Sequence, residues 1–223
     1  MTYEIISSGS DGNAILLENN ILLDCGIAYK KIEPYLKKVK VIFLTHIHQD
    51  HFKKSTIKKI AYEYPNIKFL VGYYLVSPLV ECGVSPKNIF QLDFDEWYDI
   101  GIAKVRIEEV QHDVLNACLK MEAKDKKVIY IVDTNNVDHI SAKNYDLYLI
   151  EGNYIADESL NVEVREQEEK GEFSYLKRVL KTHLSQTQAI EWLKKNMGDN
   201  GEFEFIHQHK DRKEKEIENE NTK

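Results

Sequence analysis

Residues 41–51 read Val41-Ile42-Phe43-Leu44-Thr45-His46-Ile47-His48-Gln49-Asp50-His51. The first four form a continuous apolar run of strand length, with the β-branched and aromatic side chains that favour a buried strand. That strand leads directly into three imidazoles and a carboxylate within six residues. Imidazole and carboxylate are the ligands that borderline and hard divalent ions prefer. In an extended or turning segment, His46 and His48 point the same way while Asp50 and His51 turn toward a second ion. The bland alternative is a solvent loop that happens to be rich in histidine, and so dense a cluster of ligand-type residues is improbable by chance.

Working outward, the first forty residues predict a meander of short strands at Tyr3–Ile6, Ala14–Leu17 and Ile21–Asp24. These are separated by Ser7-Ser8-Gly9-Ser10-Asp11-Gly12 and by Asn19-Asn20, a plausible hairpin tip. A short helix is expected over Tyr29–Leu36, helical segments at 55–63 and 74–82, and a strand at Ile67–Val71 between them. A second set of strands is expected at Ile102–Glu108, Ala117–Glu122, Val128–Val132, Leu147–Ile150 and Phe203–Ile206. Helices are expected at Phe173–Lys181 and Thr187–Lys195, with Ser185 as the cap of the second. Two strand-rich runs with interleaved helices imply an α/β protein of two facing mixed sheets with helices outside. The charged stretch Asn161–Gly171 reads as an exposed loop or helical extension. Residues 1–209 read as one domain and 210–223 as a charged, disordered tail.

Composition bounds the class. A chain of 223 residues with 43% hydrophobic and 30% charged residues is an ordinary globular domain with room for a sizeable core. No stretch approaches the roughly 18 to 20 apolar residues a membrane span needs, and the N-terminal residues read as a first strand rather than a signal peptide. Three scattered cysteines argue for a reducing compartment, so the cytoplasm is expected. A net charge of −7 excludes a uniformly positive surface for duplex DNA but leaves room for a local basic track.

The run His46-x-His48-x-Asp50-His51 after a strand resembles the signature of the metallo-β-lactamase superfamily, and the chain supplies its other motifs in order. Asp24, in Leu22-Leu23-Asp24-Cys25-Gly26, resembles the aspartate that orients the metal loop without binding metal. His112, Asp133 and His183 resemble the later ligands, the last within Thr182-His183-Leu184-Ser185. The opening Ser7-Ser8-Gly9-Ser10-Asp11-Gly12-Asn13 resembles the Ser-Gly-Ser-x-Gly-Asn start of the YycJ (WalJ)-like group and, more loosely, of tRNase Z-like phosphodiesterases. The strand Tyr145–Tyr154, with Glu151 and Asn153, is similar to that group as well. The departure lies after His112, where Val114-Leu115-Asn116-Ala117-Cys118 replaces the usual continuation.

The resemblance implies an αββα sandwich and two divalent ions per chain, Zn²⁺ or Mn²⁺. His46, His48 and His112 would hold the first ion, and Asp50, His51 and His183 the second, with Asp133 bridging. Asp50, His51 and Asp133 would thereby be the catalytic residues, and Asp24 would support a ligand histidine from behind. Two ions about 3.5–4 Å apart hold a bridging hydroxide and clamp both oxygens of an in-line displacement. The expected activity is phosphodiester hydrolysis, with DNA or RNA as the leading substrate and a cyclic or other small nucleotide as the alternative. Ester, thioester or lactam hydrolysis, or a non-enzymatic binding role, stand further off. The expected partner is thus a phosphodiester and no membrane, and a homodimer is compatible with the chain. Ser8, Asn13, Asn153 and Ser185 are candidate substrate contacts. His207 and His209 are expected to stand outside the site, since His183 completes a seven-ligand set. His139 is a weak candidate acid, and the pairs Tyr73-Tyr74 and Trp97-Tyr98 are expected to pack rather than stack on bases.

Overall fold

A computed structural model describes residues 1–155 and 175–208. In chain order the strands are β1 (Tyr3–Ser7), β2 (Ala14–Leu17), β3 (Ile21–Leu23), β4 (Val41–Leu44), β5 (Lys68–Gly72), β6 (Ile89–Leu92), β7 (Tyr98–Asp99), β8 (Lys104–Val110), β9 (Asn116–Ala123), β10 (Lys126–Ile131), β11 (Leu147–Glu151) and β12 (Glu202–Ile206). The helices are α1 (Tyr29–Leu36), α2 (Lys54–Glu63), α3 (Val76–Glu81), α4 (Tyr175–Thr182) and α5 (Gln186–Asn196).

The strands form two six-stranded sheets, ordered β1-β2-β3-β4-β5-β6 and β12-β11-β10-β9-β8-β7. Each sheet is mixed. Strands β1 to β3 are antiparallel and β3 to β6 parallel, while β7 to β10 are antiparallel and β10 to β12 parallel. The inner faces meet through Leu17, Leu23, Phe43 and Leu70 from one sheet and Ile107, Leu119, Tyr130 and Leu149 from the other. The outer face of the first sheet packs Leu22, Ile42 and Val71 against Ile32, Ile57 and Leu79 of the helices. The outer face of the second packs Ile129, Ile131 and Tyr148 against Ala189, Trp192 and Leu193 of α5. Strand β4 is buried on both faces, which is why Val41–Leu44 shows no alternation.

Sequence and structure differ at one edge strand of each sheet. Strands β6 and β7 were not expected, because β6 is only four residues long and β7 two, too short to establish a period. Ser185 does cap α5, in a capping box whose other partner is Gln188. The expected stretch Asn161–Gly171, the first two residues of the helix expected at Phe173–Lys181, His209 and the tail 210–223 lie outside the described residues. Among the described residues, no helix is long and apolar enough to cross a membrane.

Strands β3, β4, β10, β11 and β12 end on one edge of the sandwich, where they are followed or closed by Asp24, Thr45-His46, Asp133, Glu151 and His207. The carboxyl ends of parallel strands are where open α/β sheets collect ligands.

Candidate metal centre

Three of these residues turn the chain in the left-handed region: Asp24 at φ 59°, Asp133 at φ 51° and His207 at φ 53°. Non-glycine residues held there cluster at functional sites. Each turns a side chain off a strand end and into the space between the sheets.

Ligand-type atoms converge in three overlapping groups: His46, His48, His112 and Asp133; Asp50, His51, Asp133 and His207; and Asp133, Glu151, His183 and His207. Within each, the ligand atoms lie within 4.8 Å of one another. Asp133 belongs to all three. Its Oδ2 stands 3.2 Å from His46 Nε2 and 3.0 Å from His51 Nε2, and its Oδ1 stands 3.0 Å from His207 Nε2. His48 Nδ1 and His112 Nε2 are 3.2 Å apart.

His46 and His112 are set up as neutral imidazoles. Burial depresses the pKa of His46, helped by the neighbouring His51, and burial takes His112 down to about 4 against the pull of Asp133. Burial would depress His51 too, but the carboxylates of Asp24 and Asp133 hold it well above the ordinary histidine value. Asp133 is buried, yet His207 and His51 keep it well below the ordinary carboxylate range.

The donor set fits divalent ions on a structural criterion. His46 Nε2 and Asp133 Oδ1 are fully buried and make no hydrogen bond, although each lies beside an atom of the cluster. His51 donates from Nδ1 to Asp24 Oδ2 at 2.6 Å, so the lone pair of its neutral form sits on Nε2 and faces the Asp133 carboxylate. The unbonded His46 Nε2 and Asp133 Oδ1 are the positions that a bound cation would satisfy. Asp24 is wholly buried and also takes Thr45 N, Thr45 Oγ1 and Tyr130 Oη.

The structure corrects the sequence reading at His207. His207, expected outside the site, is 3% exposed and lies within it. The parallel register pairs Glu151 with Ile206, so the residue after β12 arrives beside Asp133. The candidate substrate contacts Ser8, Asn13, Asn153 and Ser185 all make framework hydrogen bonds, and Asn153 also lines the cleft. Ser8 Oγ accepts from His207 N at 2.6 Å, and Asn13 Oδ1 lies 3.2 Å from His207 Nδ1. Asn153 Nδ2 donates to the His207 carbonyl at 2.7 Å, and Ser185 caps its helix. His183 does reach the cluster, but its Nδ1 is 2.6 Å from Glu151 Oε1 and 3.3 Å from Asp133 Oδ1. Glu151, the last residue of β11, is thus the partner of His183. His139 bonds the Glu109 carbonyl and stays out of the cluster.

The cluster opens into a cleft of 270 Å³ that His48, Asp50, Asp133, Arg178, His183 and His207 help to line. At His112 and Asp113 this cleft adjoins a groove of 1090 Å³ that runs along β8 and β9.

The fold is shared with solved structures of low identity. The metallo-beta-lactamase fold protein YhfI from Bacillus subtilis superposes with a TM-score of 0.70 at 16% identity, covering 97% of this chain and 92% of that one. The short form of human tRNase Z gives 0.70 at 14% identity, covering 96% and 94%. Among curated proteins, the inactive cytidine monophosphate-N-acetylneuraminic acid hydroxylase of Homo sapiens is 28% identical over 103 residues, 44% of this chain and 21% of that protein. The Sus scrofa hydroxylase is 26% identical over the same length, 24% of that protein. The matched part is about a fifth of the length of these relatives. The profile of the Beta-lactamase superfamily domain matches residues 19–207. With strands β3 to β12 and every member of the His/Asp cluster inside that match, the chain belongs to the metallo-β-lactamase superfamily.

Proposed function

We propose that the protein is a dinuclear metal-dependent phosphodiesterase, and in particular a nuclease acting on DNA or RNA. His46, His48 and His112 would hold one ion, Asp50, His51 and His207 the other, and Asp133 would bridge them. Two divalent ions, Zn²⁺ or Mn²⁺, supply Lewis acidity, lower the pKa of water toward neutrality and clamp the attacking and leaving oxygens. Family membership and the donor set support the coarser part of this reading, a divalent-metal-dependent hydrolase.

The observation that carries the finer part is the His183–Glu151 pair. With His207 among the donors of the second position, His183 is an imidazole beyond the ligand complement. Burial pulls its pKa down, but the carboxylates of Glu151 and Asp133 outweigh burial and raise it to about 10, so it carries a proton at neutral pH. Glu151 engages Nδ1 and leaves Nε2 to face the cleft. From Nε2 a proton passes to the oxygen that leaves phosphorus, an alkoxide too basic to depart unaided. The activity named for human tRNase Z, which shares the fold over 96% of this chain, points the same way.

A second reading, hydrolysis of a cyclic or other small nucleotide, is favoured by one observation. The groove that adjoins the cleft carries Asp95, Glu108, Glu109 and Asp113 against Arg106 and Lys120, which gives a polyanion little to hold. A reducing, cytoplasmic setting is supported by Cys25, Cys82 and Cys118, all buried and unpaired.

The test is a panel offered to the zinc- or manganese-loaded protein: bis-p-nitrophenyl phosphate, single- and double-stranded DNA, RNA and cyclic mononucleotides. A nuclease cleaves the model diester and at least one polymer, with affinity falling steeply as salt rises. Turnover of cyclic mononucleotides with the polymers left intact selects the second reading, and inertness toward every diester removes both.

A further inference from the structure

We infer that Asn13 is a positioning residue for the second metal position: its side-chain amide fixes the tautomer of His207 so that Nε2 presents the free lone pair. The consequence for metal rests on the dinuclear reading above, whereas the tautomer does not.

The argument begins at Gly9. Its backbone N–H donates to Asn13 Oδ1 at 2.9 Å, and a backbone N–H is only ever a donor, so the orientation of the Asn13 amide is settled. The same Oδ1 lies 3.2 Å from His207 Nδ1. An oxygen with no hydrogen requires a donor there, so His207 Nδ1 carries the proton. In the neutral ring Nε2 then holds the lone pair, and Nε2 is the atom 3.0 Å from Asp133 Oδ1.

The other end of the amide serves the same position. Asn13 Nδ2 donates to the Asp50 carbonyl at 3.2 Å and stands 2.9 Å from His51 Nε2, while the backbone N–H of Asn13 donates to the Asp50 carbonyl at 2.7 Å. One side chain, 2% exposed, thus touches Asp50, His51 and His207, all donors of one metal position and of none in the His46–His48–His112 group. The loop can come this close because Gly9, at φ +116°, has no Cβ. A Cβ there would lie 2.9 Å from the Gln208 carbonyl oxygen. The opening Ser-Gly-Ser-Asp-Gly-Asn motif, anchored on the first sheet, therefore holds a ligand that ends the last strand of the second sheet.

The experiment compares wild type, Asn13→Ala and Asn13→Asp by ¹⁵N NMR of the His207 ring, in zinc-free and zinc-loaded full-length protein, alongside stepwise zinc titration. In wild type and in Asn13→Asp, which keeps the acceptor for Gly9 and His207, Nδ1 should be protonated. In Asn13→Ala the ring should populate both tautomers. The second zinc ion should bind about 10–100-fold more weakly in Asn13→Ala, the loss typical when a ligand's supporting group is removed, with the first ion unaffected. Asn13→Asp should return the affinity to near the wild-type value. An Asn13→Ala protein with an unchanged His207 tautomer and two wild-type affinities overturns the inference. So does an Asn13→Asp protein as defective as Asn13→Ala, because the acceptor would then be irrelevant. Should Asn13→Ala not fold, the wild-type and Asn13→Asp ring tautomers alone decide, since a Nε2-protonated His207 in either is fatal. A wild type that takes up a single zinc ion defeats the dinuclear reading instead, while the zinc-free tautomer still tests Asn13.

Discussion

Asp24 offers the sharpest perturbation, because four donors close on one wholly buried carboxylate. Thr45 N and Thr45 Oγ1 reach Oδ1 at 2.9 and 3.0 Å, and His51 Nδ1 and Tyr130 Oη reach Oδ2 at 2.6 and 2.7 Å. Asp24→Asn keeps the volume but replaces one oxygen with an NH₂ group, so one of the two pairs must face a donor. If that pair is His51 and Tyr130, the ring takes the other tautomer and points Nε2–H at Asp133, which closes the atom to a cation. The expected loss in affinity for the second ion is about 10–100-fold, with about 1–3 kcal/mol of stability lost to a buried donor left unpaired. Asp24→Ala strands all four donors and should cost about 3–5 kcal/mol, the scale of a broken buried pair. Urea unfolding of the metal-free protein and zinc titration of the folded protein read the two effects separately. An Asp24→Asn protein that binds both ions at wild-type affinity, with an unmoved urea midpoint, would refute the reasoning.

The other predictions concern the remaining members of the site. His207→Ala should retain one ion of two by elemental analysis, while His183→Ala keeps both and loses about 10²–10⁴-fold in turnover, the range of a positioned acid; the opposite pattern returns His183 to the ligands. Gly26→Ala would set a Cβ 1.6 Å from the Asp50 carbonyl oxygen, and the displaced loop should cost at least about 1–3 kcal/mol. An unchanged melting temperature with both ions bound argues against that packing. In metal-free protein, raised pKa values at His51 and His183 contribute stability that is complete below pH 6.5 and fades as pH rises, for His183 through about 10; the depressed Asp133 contributes above pH 3.8 and fades as pH falls. His46 and His112, whose pKa values are depressed, lose stability as pH falls below 6.5, so denaturation midpoints should peak near that pH, and a flat profile from pH 5 to 10 would contradict the assigned pairs.

Much of the fold, and every residue of the proposed metal-holding set except His207, were legible in the sequence, most plainly where the signals are local. Strand β4 and the His46–His51 loop lie within eleven residues, and the apolar run ahead of the loop marks both. His207 was not legible in that way. Its place depends on the parallel register that sets Ile206 against Glu151, a pairing between segments more than fifty positions apart in the chain. A usable signal did exist: His46, Asp133, Glu151 and His207 each stand at or just past the end of a strand, a repetition that singles out His207 and not His209. The framework role of the Ser8–Asn13 loop was hidden for a related reason. Small polar residues with glycine suit a substrate phosphate and a close loop contact equally well, and only the approach of Gln208 and His207 distinguishes them.

The left-handed turns at Asp24, Asp133 and His207 connect stability to function. Residues with a Cβ in this region cost of order 1–3 kcal/mol each, and glycine would take the same turns without strain. Glycine offers no donor. At Asp133 and His207 the turn points a ligand-type atom at the cluster, and at Asp24 it points a carboxylate at the ligand His51. The same edge also leaves His46 Nε2 and Asp133 Oδ1 buried without a hydrogen bond, a second unfavourable arrangement confined to the same few residues. Backbone strain and orphaned polar atoms at one edge, in a sandwich whose three apolar layers are otherwise continuous, are what a site looks like when its stability is completed by a bound cation. The hydrogen bonds from Ser8, Asn13 and Asn153 to the His207 segment then have a plain purpose: they hold a strained turn in place until that cation arrives.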